Sequence, residues 1–248
     1  MGRGISRRFS LMSGAAFSAI WSLLAGRAFG ETIRRRLPWA AGLTDRPDRI
    51  DERPGYVFFD SVEAAFIEAA VARLIPRDAT GPGAVEANVP RFIDRQLAGP
   101  YGAGDHFYLQ PPFPKALPTQ GWQEGAPAQV YRRAILAIDG WSAATYGRPF
   151  AALDSATQDQ ALKTLEEGKA ELSGGADGKA FFTLLLQNTI EGYFSDPIYG
   201  GNRDMGPWRM IGFPGARYDL RSFVSRFGVP YTLPPVGLMG RSQWRMRG

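Results

Sequence analysis

The segment Gly178-Lys179-Ala180-Phe181-Phe182-Thr183-Leu184-Leu185-Leu186-Gln187-Asn188-Thr189-Ile190-Glu191-Gly192-Tyr193 decides the fold. It holds no proline, and its centre, Phe181 to Leu186, is apolar nearly all round. A helix that is apolar on every side belongs in the middle of a packed domain. The segment therefore predicts a buried central helix over about 178–193, with other helices around it.

Those helices lie upstream. Asp60 with Glu63 three residues later has the spacing of a capping box, and Pro76 closes the helix that follows. Phe66, Ala70 and Leu74 fall on one face of it, with Ile67, Val71 and Ile75 beside them. Asn88 is placed to cap a second helix, with Pro90 in its first turn and Val89, Phe92, Ile93 and Leu97 turned inward. A third spans about Ala128–Tyr146, with Val130, Ala134, Ile138 and Trp141 as its apolar stripe. A fourth spans about Ser155–Glu167, with Ala161, Leu162 and Leu165 facing in. Residues 98–129 are rich in Pro and Gly and read as irregular. Strand-like alternation of useful length is missing, and so is any fixed-period repeat. The expected fold is all-α, an irregular helical domain of about five main helices with long ordered loops.

Downstream of the central helix, Asn188 to Gly215 becomes a long loop carrying Tyr193, Phe194, Tyr199, Trp208 and Phe213. Disordered segments hold few aromatics, so this loop is expected to be ordered against something. Interfaces are enriched in Tyr, Trp, Phe, Met and Arg, and their energetic centres in Trp, Tyr and Arg. Two readings stay open. The loop covers this protein's own helices, with Trp208 and Phe213 the first candidates to face inward, or it grips a partner. The partner reading names Asp196, Tyr199, Asn202, Arg203, Asp204, Met205, Trp208, Arg209 and Met210 as contacts, with Tyr199, Arg203 and Trp208 as anchors.

Charge and composition exclude several classes. The chain has 248 residues, no cysteine and one histidine, His106. Thiolate metal sites, disulfides, cysteine nucleophiles and multi-histidine metal sites are thereby excluded. The net charge of +5 is concentrated at the ends. Of 29 basic residues, four (Arg3, Arg7, Arg8, Arg27) lie in 1–30 and three (Arg241, Arg245, Arg247) lie after Val236, and neither stretch holds an acid. The body between has 22 basic against 24 acidic residues. A folded part without a basic excess argues against nucleic-acid binding.

The N-terminus has a basic start, the small-residue apolar run Leu11–Ala25, and a small-residue exit at Ala28-Phe29-Gly30. That is the layout of an export signal, and the pair Arg7-Arg8 is of twin-arginine type. The usual pattern has Phe two places after the arginines; here Phe9 follows directly. An ordinary export signal and a retained membrane anchor are the alternatives. Residues 31–55, charged and holding Pro38, Pro47 and Pro54, read as a linker; residues 216–248 read as a Pro-rich basic tail with one short helix, Asp219–Phe227. The tail either crosses a partner surface or has no fixed structure.

Candidate chemistry is sparse. Gly81-Pro82-Gly83-Ala84 and Gly200-Gly201-Asn202-Arg203 are glycine-rich, but neither follows a strand and opens a helix in pyrophosphate-binding spacing. They read as turns. Glu191, Asp196 and Asp204 lie near one another in sequence, and two of them could form a carboxylate pair; a stand-alone periplasmic enzyme would use Glu191, Asp196 and His106. The blander reading makes them helix caps and partners of Arg203.

Several motifs in order then resemble one family. They are Leu74-Ile75-Pro76-Arg77-Asp78, Gly81-Pro82-Gly83-Ala84, Phe92-Ile93-Asp94, Thr189-Ile190-Glu191-Gly192-Tyr193-Phe194-Ser195-Asp196-Pro197, Tyr199-Gly200-Gly201-Asn202-Arg203-Asp204 and Gly212-Phe213-Pro214-Gly215. Across residues 56–215 the chain resembles the gluconate 2-dehydrogenase subunit 3 family. The resemblance implies a small subunit with no cofactor of its own, in a bacterial membrane-bound sugar or sugar-acid dehydrogenase. It implies a large FAD-containing partner that oxidises the substrate, and a multi-haem cytochrome c partner that passes electrons to quinone. It further implies twin-arginine export, a periplasmic location, membrane association through the complex, and no catalytic residues to carry over.

Overall fold

The computed structural model describes residues 54–105, 125–217 and 220–238. The leader, nearly all of the 31–55 linker and His106 lie outside the described residues. Within them the protein is all-α. The long helices are α1 (Ser61–Leu74), α2 (Val89–Leu97), α4 (Pro127–Tyr146), α5 (Ser155–Glu166) and α6 (Gly178–Phe194). Two short ones, α3 (Pro100–Ala103) and α7 (Gly206–Met210), join them.

The capping box of α1 forms as its spacing requires. The Asp60 carboxylate accepts from the amides of Val62 and Glu63 at 2.8 Å each, and Glu63 accepts from the Asp60 amide at 3.1 Å. Phe66, Ile67, Ala70 and Val71 enter the core from this helix. The start of α2 differs from expectation. Asn88 precedes the helix, but its φ of 65° is left-handed and its side chain makes no cap bond. That side chain is used elsewhere, as described below.

The inward face of α4 is also rotated from the expected stripe. Tyr131, Ala134, Ile135 and Ile138 are buried, while Val130 and Trp141 are half-buried at its border. The reason is the Tyr131 hydroxyl, which accepts from Asn188 Nδ2 at 2.8 Å. With its polar tip paired, the ring can sit at the centre, 5.3 Å from Phe181 in an edge-on contact. Burial pushes the Tyr131 phenol far above its usual pKa.

Helix α6 is central, touching α1, α2, α4 and α5. Phe181, Phe182, Leu185, Asn188, Thr189, Gly192 and Tyr193 are buried. It is not covered all round, however. Thr183, Gln187, Ile190 and Phe194 form an exposed stripe at helical spacing, and Leu184 and Leu186 are only half-buried beside it.

A buried carboxylate pins the N-terminal approach to this bundle. Asp94 on α2 is fully buried and accepts from three successive amides, Val57, Phe58 and Phe59, at 2.8 to 3.2 Å. It also pairs with Arg95. From α4, Arg132 bonds the Glu63 carboxylate at 2.9 Å and the Phe58 carbonyl at 2.9 Å.

The described part of the tail differs from the expected helix. The described part contains no α-helix at 219–227, only a 3-10 turn at Arg221–Phe223. It returns to the domain: Gly215 and Val236 form an isolated parallel bridge, with Ala216 N donating to Val236 O at 2.6 Å and Val236 N to Pro214 O at 3.2 Å. Gly215 has φ 78°, and a Cβ there would stand 2.1 Å from the Val236 carbonyl oxygen. Only glycine admits this crossing.

Candidate functional site

The loop after α6 is built on the carbonyls that the end of a helix leaves unpaired. Gly192 O accepts from Asn202 N at 3.1 Å and from the Ser195 hydroxyl at 3.2 Å. Ser195 O accepts from Asn202 Nδ2 at 2.8 Å, and Phe194 O from Trp208 Nε1 at 2.8 Å. The loop thus folds under the helix that launches it. Gly201 makes the approach possible: a Cβ on it would lie 2.1 Å from the Gly192 carbonyl oxygen.

The second side of the loop is held by α2. Asn88 Nδ2 donates to Gly200 O at 2.7 Å, its Oδ1 accepts from Arg203 at 3.0 Å, and Arg203 N donates to Ala87 O at 3.1 Å. Among the described residues, the non-glycine positions with positive φ are Asn88, Asn202, Asp204 and Met205, and all belong to this junction. Asn and Asp tolerate the left-handed region; methionine does so at a cost. Such strain, about 1–3 kcal/mol per residue, persists only where the surroundings over-determine it. Here the burial of Asn202, Met205 and Trp208 supplies that constraint.

The expected contact residues therefore divide. Asn202, Met205 and Trp208 are buried in this chain and cannot be surface anchors; they shape the loop from within. Tyr199 (52% exposed), Arg203, Asp204, Arg209 and Met210 do face outward. Asp196 is half-buried and already engaged, accepting from Ile198 N at 3.1 Å and Leu238 N at 2.7 Å. Trp208 turns inward as expected, but Phe213 stays exposed and packs edge-on against it at 5.0 Å.

What sequence reasoning missed is the company around these residues. Ile190, Phe194, Ile211 and Phe213 are exposed together with Tyr199 and Met210. Three of them are linked through buried neighbours: Phe194 packs against Tyr193 at 4.9 Å, Tyr193 OH lies 3.8 Å from Met210 Sδ, and Trp208 ties Phe194 to Phe213. Phe194, Met210 and Phe213 thus form an apolar rim around buried Tyr193 and Trp208, and Arg203, Asp204 and Arg209 are exposed on the same loop. Ile190 and Phe194, four residues apart on one helix face, were the signal that could have revealed it.

Of the enzymatic triad, Glu191 and Asp196 lie among the described residues. Glu191 is exposed and accepts from Gln187 at 2.9 Å, Asp196 is satisfied by backbone amides, and His106 lies outside the described residues. In the two glycine-rich segments, two glycines stand close to this chain's own backbone. Gly201 presses on Gly192 O, and Gly83 sits where a Cβ would be 2.7 Å from Arg77 N. At these two positions this chain's own backbone takes the space of the missing side chain, whereas Gly81 faces the Met210 side chain and nothing lies within 4 Å of Gly200.

The sequence matches the model of the gluconate 2-dehydrogenase subunit 3 family over residues 61–215. The match spans more than half of the chain, and the protein belongs to that family. Neither the curated proteins nor the solved structures yielded a match.

Proposed function

We propose that this member of the family is a non-catalytic subunit of a flavin-dependent dehydrogenase of the gluconate type. It binds the FAD-carrying subunit through the rim around Trp208 and is exported with it by the twin-arginine route. It then stays in the periplasm as a scaffold, while a multi-haem cytochrome c partner takes the electrons. Family membership supports the subunit role. The observation that carries the binding role is the rim itself: Phe194 exposed at the end of α6, with Tyr199, Met210, Ile211 and Phe213 exposed on a loop whose backbone is tied at both ends. Contiguous exposed apolar side chains on a rigid base mark interaction surfaces, and preorganisation lowers the entropy cost of binding.

Affinity purification of the protein from membranes tests this reading. A yellow, haem-containing assembly is expected. A colourless monomer that turns over a sugar acid by itself overturns it. Within the assembly, Phe213→Ser and Tyr199→Ala should each weaken capture of the flavoprotein by about 2 kcal/mol, roughly thirtyfold, if they are central contacts.

A further inference from the structure

Beyond the family-matched segment, the chain makes an excursion whose base is closed by the Gly215–Val236 bridge. The base is firm. Arg217 donates to Pro234 O at 2.6 Å and lies over the Tyr231 ring at 5.3 Å, and Tyr231 packs on Phe223 at 4.8 Å. From this frame Leu220, Val224, Phe227, Val229 and Leu233 project into solvent, Phe227 with 88% of its surface exposed. Arg221 and Arg226 stand among them, each also engaged within this chain, Arg226 over the Phe223 ring at 5.0 Å, and residues 220–238 contain no acid.

We propose that residues 220–233 are a bilayer-contact loop for anionic lipid headgroups. Interfacial segments combine apolar side chains that enter the headgroup boundary with Arg or Lys facing anionic lipid. A protein interface instead gathers its apolar groups into one buried centre with a polar rim. Here two cations, Arg221 and Arg226, are interspersed among exposed apolar residues along an irregular loop, which suits a fluid acceptor with no fixed pockets. The cations complement a negative lipid surface. Among the described residues no helix is long and apolar enough to cross a membrane, so the contact proposed is interfacial. It is independent of the rim around Trp208 and of any flavoprotein.

The absence of cysteine allows a direct test, because Phe227→Cys gives one labelling position. The full chain carries a nitroxide there, or at the exposed Gln160→Cys on α5 as reference. Each is mixed with vesicles of phosphatidylethanolamine containing one quarter phosphatidylglycerol. The label at 227 is expected to gain accessibility to oxygen and lose it to a water-soluble nickel complex, while the label at 160 does not change. Arg221→Gln with Arg226→Gln should lower partitioning about tenfold or more. An aqueous profile at 227 with vesicles overturns the proposal. So does an equal shift at 160, which would place the contact elsewhere in the chain. Immobilisation only on adding solubilised flavoprotein, or already in the vesicle-free chain, overturns it in favour of a protein occupant.

Discussion

Arg203 donates to the side-chain oxygen of Asn88 at 3.0 Å, across 115 residues of chain. The same asparagine donates to Gly200 O from its other side-chain atom and holds a left-handed backbone. One residue thereby fastens the loop after α6 to the start of α2.

Asn88→Ala removes both bonds and puts a Cβ-bearing residue without side-chain help at φ 65°. Urea unfolding should show a loss of about 2–3 kcal/mol. Asn88→Gly loses the same bonds but relieves the backbone, so its loss should be about 1 kcal/mol smaller. Equal losses for the two variants would refute the conformational part of this account.

Gly201→Ala drives a methyl group to 2.1 Å from Gly192 O, a backbone atom that cannot swing aside. The loop must lift from α6, so Trp208 should lose its bond to Phe194 O. Expected are a stability loss of about 3 kcal/mol or more and a red shift of tryptophan emission. An unshifted spectrum with near-native stability would contradict the close approach.

Asp94→Asn keeps the volume but replaces one acceptor with a donor that faces amides and Arg95. Breaking a buried charged network by removing one partner costs about 3–5 kcal/mol. Hydrogen exchange should show the amides of Val57, Phe58 and Phe59 losing protection before the helices do.

Asp139 is half-buried, and burial holds its carboxyl above the usual pKa even though it accepts from Phe150 N at 3.0 Å. The folded state thus holds this proton more tightly than the unfolded chain does. Its contribution favours folding at acid pH and is lost as pH rises through the elevated folded value. Asp139→Asn keeps an acceptor for Phe150 N without the charge. The variant should gain on the wild type in denaturation midpoint as pH rises from about 4 to 7, and a constant difference would exclude the effect.

Local signals made the helices legible. The Asp60–Glu63 box, Pro76 and the apolar runs of α5 and α6 act within a few residues, so periodicity and capping rules reach them. Where a distant partner decides, those rules fail. Val130 and Trp141 fit the α4 stripe as well as Tyr131 does until Asn188 is known to donate to the Tyr131 hydroxyl. Asn88 reads as an ordinary cap until Gly200 and Arg203 arrive from the far end of the domain. Within the loop, composition marked the surface region but could not separate Trp208, which is drawn inward by Phe194 O, from Phe213, which remains outside. The return of the tail onto Gly215 carried no local mark beyond the glycine.

Asp196 acts as a two-way clasp: one oxygen secures the turn at Ile198, the other catches the amide of Leu238. An expression boundary drawn at residue 215, where the recognisable homology stops, would discard the second half of that clasp and uncover the ground beneath Val236. Shortened versions should consequently be judged against the intact polypeptide before any weakness in assembly is blamed on the loop itself.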